Sequence, residues 1–185
     1  GESGRVRRSA GVPPPGAVPR RVSLTAGGVV VSVLGIEPGL TRGGSGVVER
    51  LSVRRARDVG AGVLRTGPDT ELPRRLAELQ AEVRGLIREY RPDAVAIERV
   101  LFQVNVGTAM QVGQAAGVVM SEAASSGCRV ALYSPNEVKL AVAGWGGADK
   151  KQVEQMVRAQ LGIDQPLRPV DAADAVAVAL CHLAM

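Results

Sequence analysis

A chain of 185 residues is long enough for one domain with a sizeable core, and 45% apolar residues against 2% aromatic ones means that Val, Leu, Ile and Ala must build it. The formal net charge of +5 invites a nucleic-acid partner, but five arginines and a single glutamate stand within residues 1–25, so the basic balance belongs mostly to the N-terminal stretch. No apolar run reaches the roughly eighteen residues of a membrane span, and no hydrophobic segment of secretory type precedes Pro13-Pro14-Pro15. A cytoplasmic protein with no membrane partner is therefore expected.

Residues 1–26 hold Gly, Ser, Arg and Pro without apolar periodicity and read as a flexible basic tail, leaving residues 27–185 as the folded unit. The β-branched run from Val29 predicts a buried strand that ends at Glu37, just before Pro38-Gly39. Leu40 to Gly46 reads as a glycine-rich turn. Val47 to Val53 and Ala56 to Arg65 follow as the second and third strands of an antiparallel meander, because connections this short allow only hairpins.

Gly67-Pro68-Asp69-Thr70 leads into a helix over about Glu71 to Tyr90, with Leu72, Leu76, Leu79, Val83 and Ile87 at helical spacing. Arg91-Pro92-Asp93 stops it, and a fourth strand follows at once and ends at Glu98; strand, helix and strand in that order imply a right-handed crossover and a parallel pairing. A second helix over residues 103–126 is rich in small residues such as Gly113, Ala115, Ala116 and Gly117, which suits close approach to another helix or to a partner subunit. Cys128 to Tyr133 is the fifth strand. Ser134-Pro135-Asn136-Glu137 caps a short helix to Ala143, Gly144-Trp145-Gly146-Gly147 breaks it, and two helices follow over Asp149 to Leu161 and Val170 to Leu183. Cys128 and Cys181 have no metal-ligand spacing around them and read as reduced core residues.

Two apolar strands that end in acids, Glu37 and Glu98, are hard to explain as solvated surface, since desolvating an uncompensated carboxylate costs several kcal/mol. Asp171 and Asp174, three apart, share one helix face whose neighbouring alanines allow it to lie close to a sheet. Asp171 also stands in a first helical turn, where a carboxylate is favoured without any metal; Asp174 lies deeper. Oxygen ligands alone favour Mg²⁺ or Mn²⁺, and two such ions can drive in-line displacement at phosphorus, so a phosphodiester nuclease is the expected class. Lys139, Lys150 and Lys151 flank the glycine-rich break and could track phosphates. His182, near the end of the last helix, reads as a helix-end residue rather than a base.

The chain resembles the RuvC family of Holliday junction resolvases, nucleases of the ribonuclease H-like fold. The likeness spans about Val29 to Leu183 and rests on Gly35-Ile36-Glu37-Pro38-Gly39-Leu40-Thr41-Arg42, Ala96-Ile97-Glu98-Arg99-Val100, Gly113-Gln114-Ala115, Ser134-Pro135-Asn136-Glu137-Val138-Lys139, Ala148-Asp149-Lys150 and Asp171-Ala172-Ala173-Asp174-Ala175. It implies an α/β architecture with a five-stranded mixed sheet flanked by helices. It also implies a homodimer that nicks opposing strands of a four-way junction symmetrically with two Mg²⁺ ions per site (Mn²⁺ as substitute), and RuvA and RuvB as partner proteins. By carry-over, Glu37, Glu98, Asp171 and Asp174 are the catalytic, metal-holding acids, and Leu101, Phe102, Asn105, Lys139 and Lys150 contact DNA. Two positions depart from the family pattern. Glu37 stands where the family has aspartate, which leaves open a junction-binding protein of impaired catalysis, and Leu101 stands where many relatives carry phenylalanine, with Phe102 beside it.

Overall fold

The computed structural model describes residues 24–25, 28–29, 31–99 and 105–185. Its main sheet has five strands: β1 (Ser32–Glu37), β2 (Arg42–Arg50), β3 (Ala56–Arg65), β4 (Ala94–Glu98) and β5 (Arg129–Tyr133), in the order β3-β2-β1-β4-β5. The first three form the expected antiparallel meander, and β4 and β5 join parallel to β1. The first strand starts at Ser32, later than expected: Gly28–Val29 instead pairs with Leu24–Thr25 in a separate two-residue ladder. Most of the predicted tail lies outside the described residues.

Strand alternation divides the core into two layers. Leu34 and Ile36 of β1 and Val95 and Ile97 of β4 point to the face covered by α1 (Leu72–Tyr90) and α2 (Val106–Ser125), where they meet Leu79 and Val83. Val33 and Ala96 point to the opposite face, under α3 (Pro135–Ala143), α4 (Lys150–Leu161) and α5 (Val170–Ala184). Among the described residues no helix is long and apolar enough to cross a membrane.

The glycine-rich stretch read as a turn is instead the first half of β2, and the connection from β1 is confined to residues 38–41. These glycines serve close approach rather than chain reversal. A Cβ on Gly44 would stand 1.8 Å from the Asp171 carbonyl oxygen, one on Gly35 2.0 Å from that of Ala175, and one on Gly46 2.4 Å from Val176 Cγ2. Helix α5 therefore lies directly on the backbone of β1 and β2, with Ala172, Ala175 and Ala179 fully buried beneath it. The second strand also ends earlier than expected, at Arg50 rather than Val53.

Gly35→Ala is expected to lower stability by about 1–3 kcal/mol or more, since the atoms it meets are backbone and cannot swing aside. Gly85→Ala, on an open face of α1 with nothing within 4 Å of the new methyl, should instead gain up to about 1 kcal/mol. Urea midpoints of the two variants measure both; an unchanged midpoint for Gly35→Ala would refute the close seat of α5.

Candidate active site

Strands β1 and β4 run parallel with Gly35 opposite Ala96 and Ile36 opposite Ile97, so each ends one residue later in an acid, Glu37 and Glu98. Gly35 and Ala96 face the α5 layer. Two residues further on, Glu37 and Glu98 emerge on that same side. The seat of α5 on Gly44 brings its first turn, with Asp171, over the β1–β2 connection, and Asp174 follows a turn later. Glu37, Glu98 and Asp174 line a cavity of about 340 Å³, with Lys139 and Lys150 on its wall.

Burial pushes the Glu37 carboxyl up to about 8, and the charges of Asp174, Glu98 and Asp171 add to that rise while Lys150 opposes it. Among the described residues its Oε2 is buried without a hydrogen-bond partner. Glu98 is raised as well, first by burial and then by Asp174, again against Lys150. The other two acids have cations of their own: the Asp171 carboxylate pairs with the Arg42 guanidinium, and Lys150 Nζ donates to Asp174 Oδ2 at 3.1 Å. Asp171 caps nothing, because Pro169 is the N-cap residue and α5 has no side-chain cap. Among the described residues, Asp171 and Asp174 thus have ion-pair partners, while Glu37 and Glu98 have none.

An all-carboxylate donor set with one orphaned, buried oxygen fits a hard divalent cation in chemistry and in sign. As the side chains stand, no three Asp, Glu, His or Cys groups among the described residues come close enough to hold an ion. Binding one would require the carboxylates to draw together and Arg42 and Lys150 to yield Asp171 and Asp174.

The support of this corner was not visible in the sequence. Arg75, only 8% exposed in α1, donates through Nε to Thr66 Oγ1 at 3.0 Å and through Nη2 to Thr41 Oγ1 at 2.7 Å, while Thr66 donates to the Leu40 carbonyl. These bonds fix the turn that follows Glu37. Nor does anything in the spacing of Arg42 pair it with an acid far along the chain.

Other expected positions divide. Asn105 caps α2, its Oδ1 accepting from the Thr108 N–H at 2.9 Å. Leu101 and Phe102 lie outside the described residues. The His182 ring is bonded through Nδ1 to the Tyr133 hydroxyl at 2.7 Å, away from the acids, and burial holds its pKa below the usual range. Both thiols are free, with Cys181 buried and raised to about 12 by burial.

Residues 33–182 match the model of the family described as crossover junction endodeoxyribonuclease RuvC. The protein of that name from Salinispora arenicola is 50% identical over 151 residues, which is 82% of this chain and 86% of the relative. The solved structure of Thermus thermophilus RuvC in complex with Holliday junction substrate is 38% identical, with a TM-score of 0.79 over 83% of this chain and 93% of that one. The yeast mitochondrial Holliday junction resolvase Ydc2, 14% identical over 82% of this chain and 78% of its own, shares the fold at a TM-score of 0.58. The ribonuclease H-like architecture expected from the motifs is the one observed.

A carboxyl whose folded-state pKa is raised binds an extra proton on folding between its ordinary value of 4.5 and about 8. Stability is therefore lost as pH rises through that window, and the loss is complete above it. In chelator, Glu37→Gln should melt close to the parent protein near pH 4.5 and measurably above it at pH 8.5. Equal melting temperatures at both pH values would contradict the burial and repulsion assigned to Glu37.

Proposed function

The chain belongs to the RuvC family of crossover junction endodeoxyribonucleases, and on that premise we propose that it resolves four-way DNA junctions by metal-dependent phosphodiester hydrolysis at the Glu37–Glu98–Asp171–Asp174 corner. The observation that carries this reading is the meeting of two strand-end glutamates with Asp174 of α5 at one cavity, where among the described residues a buried Glu37 oxygen has no partner, and with Asp171 one turn before and near enough to raise Glu37.

The four acids would hold Mg²⁺, or Mn²⁺ in its place, as two ions. When bound, they would supply charge stabilisation at the phosphate oxygens and a water of lowered pKa. Burial and the neighbouring carboxylates push the Glu37 carboxyl up to about 8, and a cation held there would favour its charged form. Lys150, released from Asp174, and Lys139 stand on the cavity wall where they attract the scissile strand and hold it against the acids. Arg42, released from Asp171, adds a third cation beside the phosphate path.

A homodimer would place two such sites for symmetric nicking, and the exposed Val106 and Met110 at the start of α2 support a subunit contact there. RuvA and RuvB as partners, and the cytoplasm as location, follow from the family reading. The folded unit would run from about residue 27, with the basic stretch before it free to add unspecific phosphate contacts.

The longer Glu37 side chain bears on rate. Mg²⁺ demands near-ideal geometry, and a displacement of an ångström can cost about 10²-fold. Glu37→Asp should therefore speed nicking of a synthetic mobile junction by up to about 10²-fold without changing junction affinity. Paired symmetric nicks by the parent chain in Mg²⁺ or Mn²⁺, absent on linear duplex, are the expected result; junction binding without nicks in either metal would contradict the proposed activity. Log affinity should also fall with log salt, and Lys139→Ala should flatten that slope by about 0.9, the amount of one lost phosphate contact. An unaltered slope would remove Lys139 from the DNA path.

A further inference from the structure

The loop between α3 and α4 reads in the sequence as a helix break and nothing more. In the structure Gly144 ends α3 in the left-handed region, with φ of 87°, and the next residue is Trp145. It is the single tryptophan of the chain, and 52% of it is exposed. The ring is seated: a Cβ on Gly147 would stand 2.2 Å from its Cζ3 and 2.8 Å from its Cε3, so the indole lies against the Gly147 backbone where no side chain could fit beside it. The loop closes through the Ala148 N–H, which donates to the Trp145 carbonyl at 3.3 Å, and Ala148 itself is buried. An ordered turn thus presents a large apolar ring to solvent.

Its surroundings decide what that ring fits. The loop joins the helix of Lys139 to the first residue of α4, Lys150, and both lysines line the active-site cavity. Lys151 adds an exposed cation. Residues 139–151 carry three lysines and one acid, Asp149, whose carboxylate accepts the Gln152 N–H as a helix cap. A flat apolar surface flanked by cations is complementary to nucleic acid, whose bases offer π-faces and whose phosphates carry the opposite charge. An apolar protein surface would meet the ring but offer Lys139 and Lys151 no opposite charge, Lys150 already donating to Asp174.

We propose that Trp145 is a DNA-contact residue that stacks on an unpaired or partly unstacked nucleobase of the junction strand led into the active-site cavity. The inference rests on the junction-nuclease reading above. It adds a base contact in the α3–α4 loop to those that the family likeness assigned to Leu101 and Phe102.

Because Trp145 is the only tryptophan, its emission reports the contact in the unmodified protein. Titration with an unlabelled synthetic four-way junction in Ca²⁺ should quench it saturably, with the midpoint seen by gel-shift, and linear duplex of equal length should quench it less. Trp145→Ala should weaken junction binding by about 5- to 150-fold, the range set by loss of one stacked base. The salt dependence should keep its slope, because no phosphate contact is lost. Trp145→Phe should retain most of the affinity, which separates stacking from a fold defect. A normal gel-shift with unchanged emission, and an alanine variant that binds like the parent, would overturn the proposal. Emission that changes with protein concentration alone, and not with DNA, would assign the ring to a contact between copies and also overturn it. Absence of any gel-shift would instead defeat the junction-nuclease reading itself, and this inference with it.

Discussion

The seat of one helix on the sheet is the constraint from which the rest of this molecule follows. Gly35, Gly44 and Gly46 have no room for a Cβ beneath α5. Removing three side chains from a sheet weakens it locally, since glycine loses more chain entropy on folding and packs nothing. What is gained is distance: with backbone against backbone, the start of α5 reaches the ends of β1 and β4. Two short-stemmed aspartates can then face two strand-end glutamates. A bulkier seam would lift α5 by several ångströms and separate the pairs.

That closeness has an electrostatic consequence. Glu37 is half-buried, near three other carboxyl groups and opposed by Lys150, and its pKa rises to about 8. Arg42 and Lys150 hold Asp171 and Asp174 in place without neutralising the corner. Such an arrangement is unfavourable for the empty protein and favourable for one that takes up positive charge, which is how functional sites commonly stand apart from the packing around them. The buried Arg75 network behind the 38–41 turn supplies rigidity on the other side, so the strain falls on the charges and not on the backbone.

Sequence pattern carries most of this and misses the rest for definable reasons. The β1–β3 meander, the α1 stripe and the acids at the ends of β1 and β4 are legible because short connections, alternation and helical spacing are local, whereas the places of β4 beside β1 and β5 beside β4 are set by long-range packing. The stretch from Leu40 to Gly46 is misread because glycine has two uses, turning a chain and admitting a neighbour, and only the neighbour distinguishes them. Arg42 and Arg75 act across the fold, Arg42 on an acid of α5 and Arg75 on two threonines, while the Trp145 ring rests on Gly147 within its own loop. No periodicity marks such partners. Asn105, which the likeness assigns to DNA, also caps α2 through its side-chain oxygen, a local role that does not bear on that assignment.

The central claim is that the four acids form one site whose mutual repulsion a divalent cation relieves. Its most direct test is the melting temperature of the metal-free chain at pH 8 as Mg²⁺ or Mn²⁺ is added, with Asp174→Asn as comparison. Binding to the folded state alone raises stability by RT ln(1 + [L]/Kd), about 2.7 kcal/mol at a hundredfold excess over Kd. The account predicts a saturable rise in the parent protein that is much reduced in the variant. A melting temperature that ignores both metals, or rises equally in the two proteins, would contradict it.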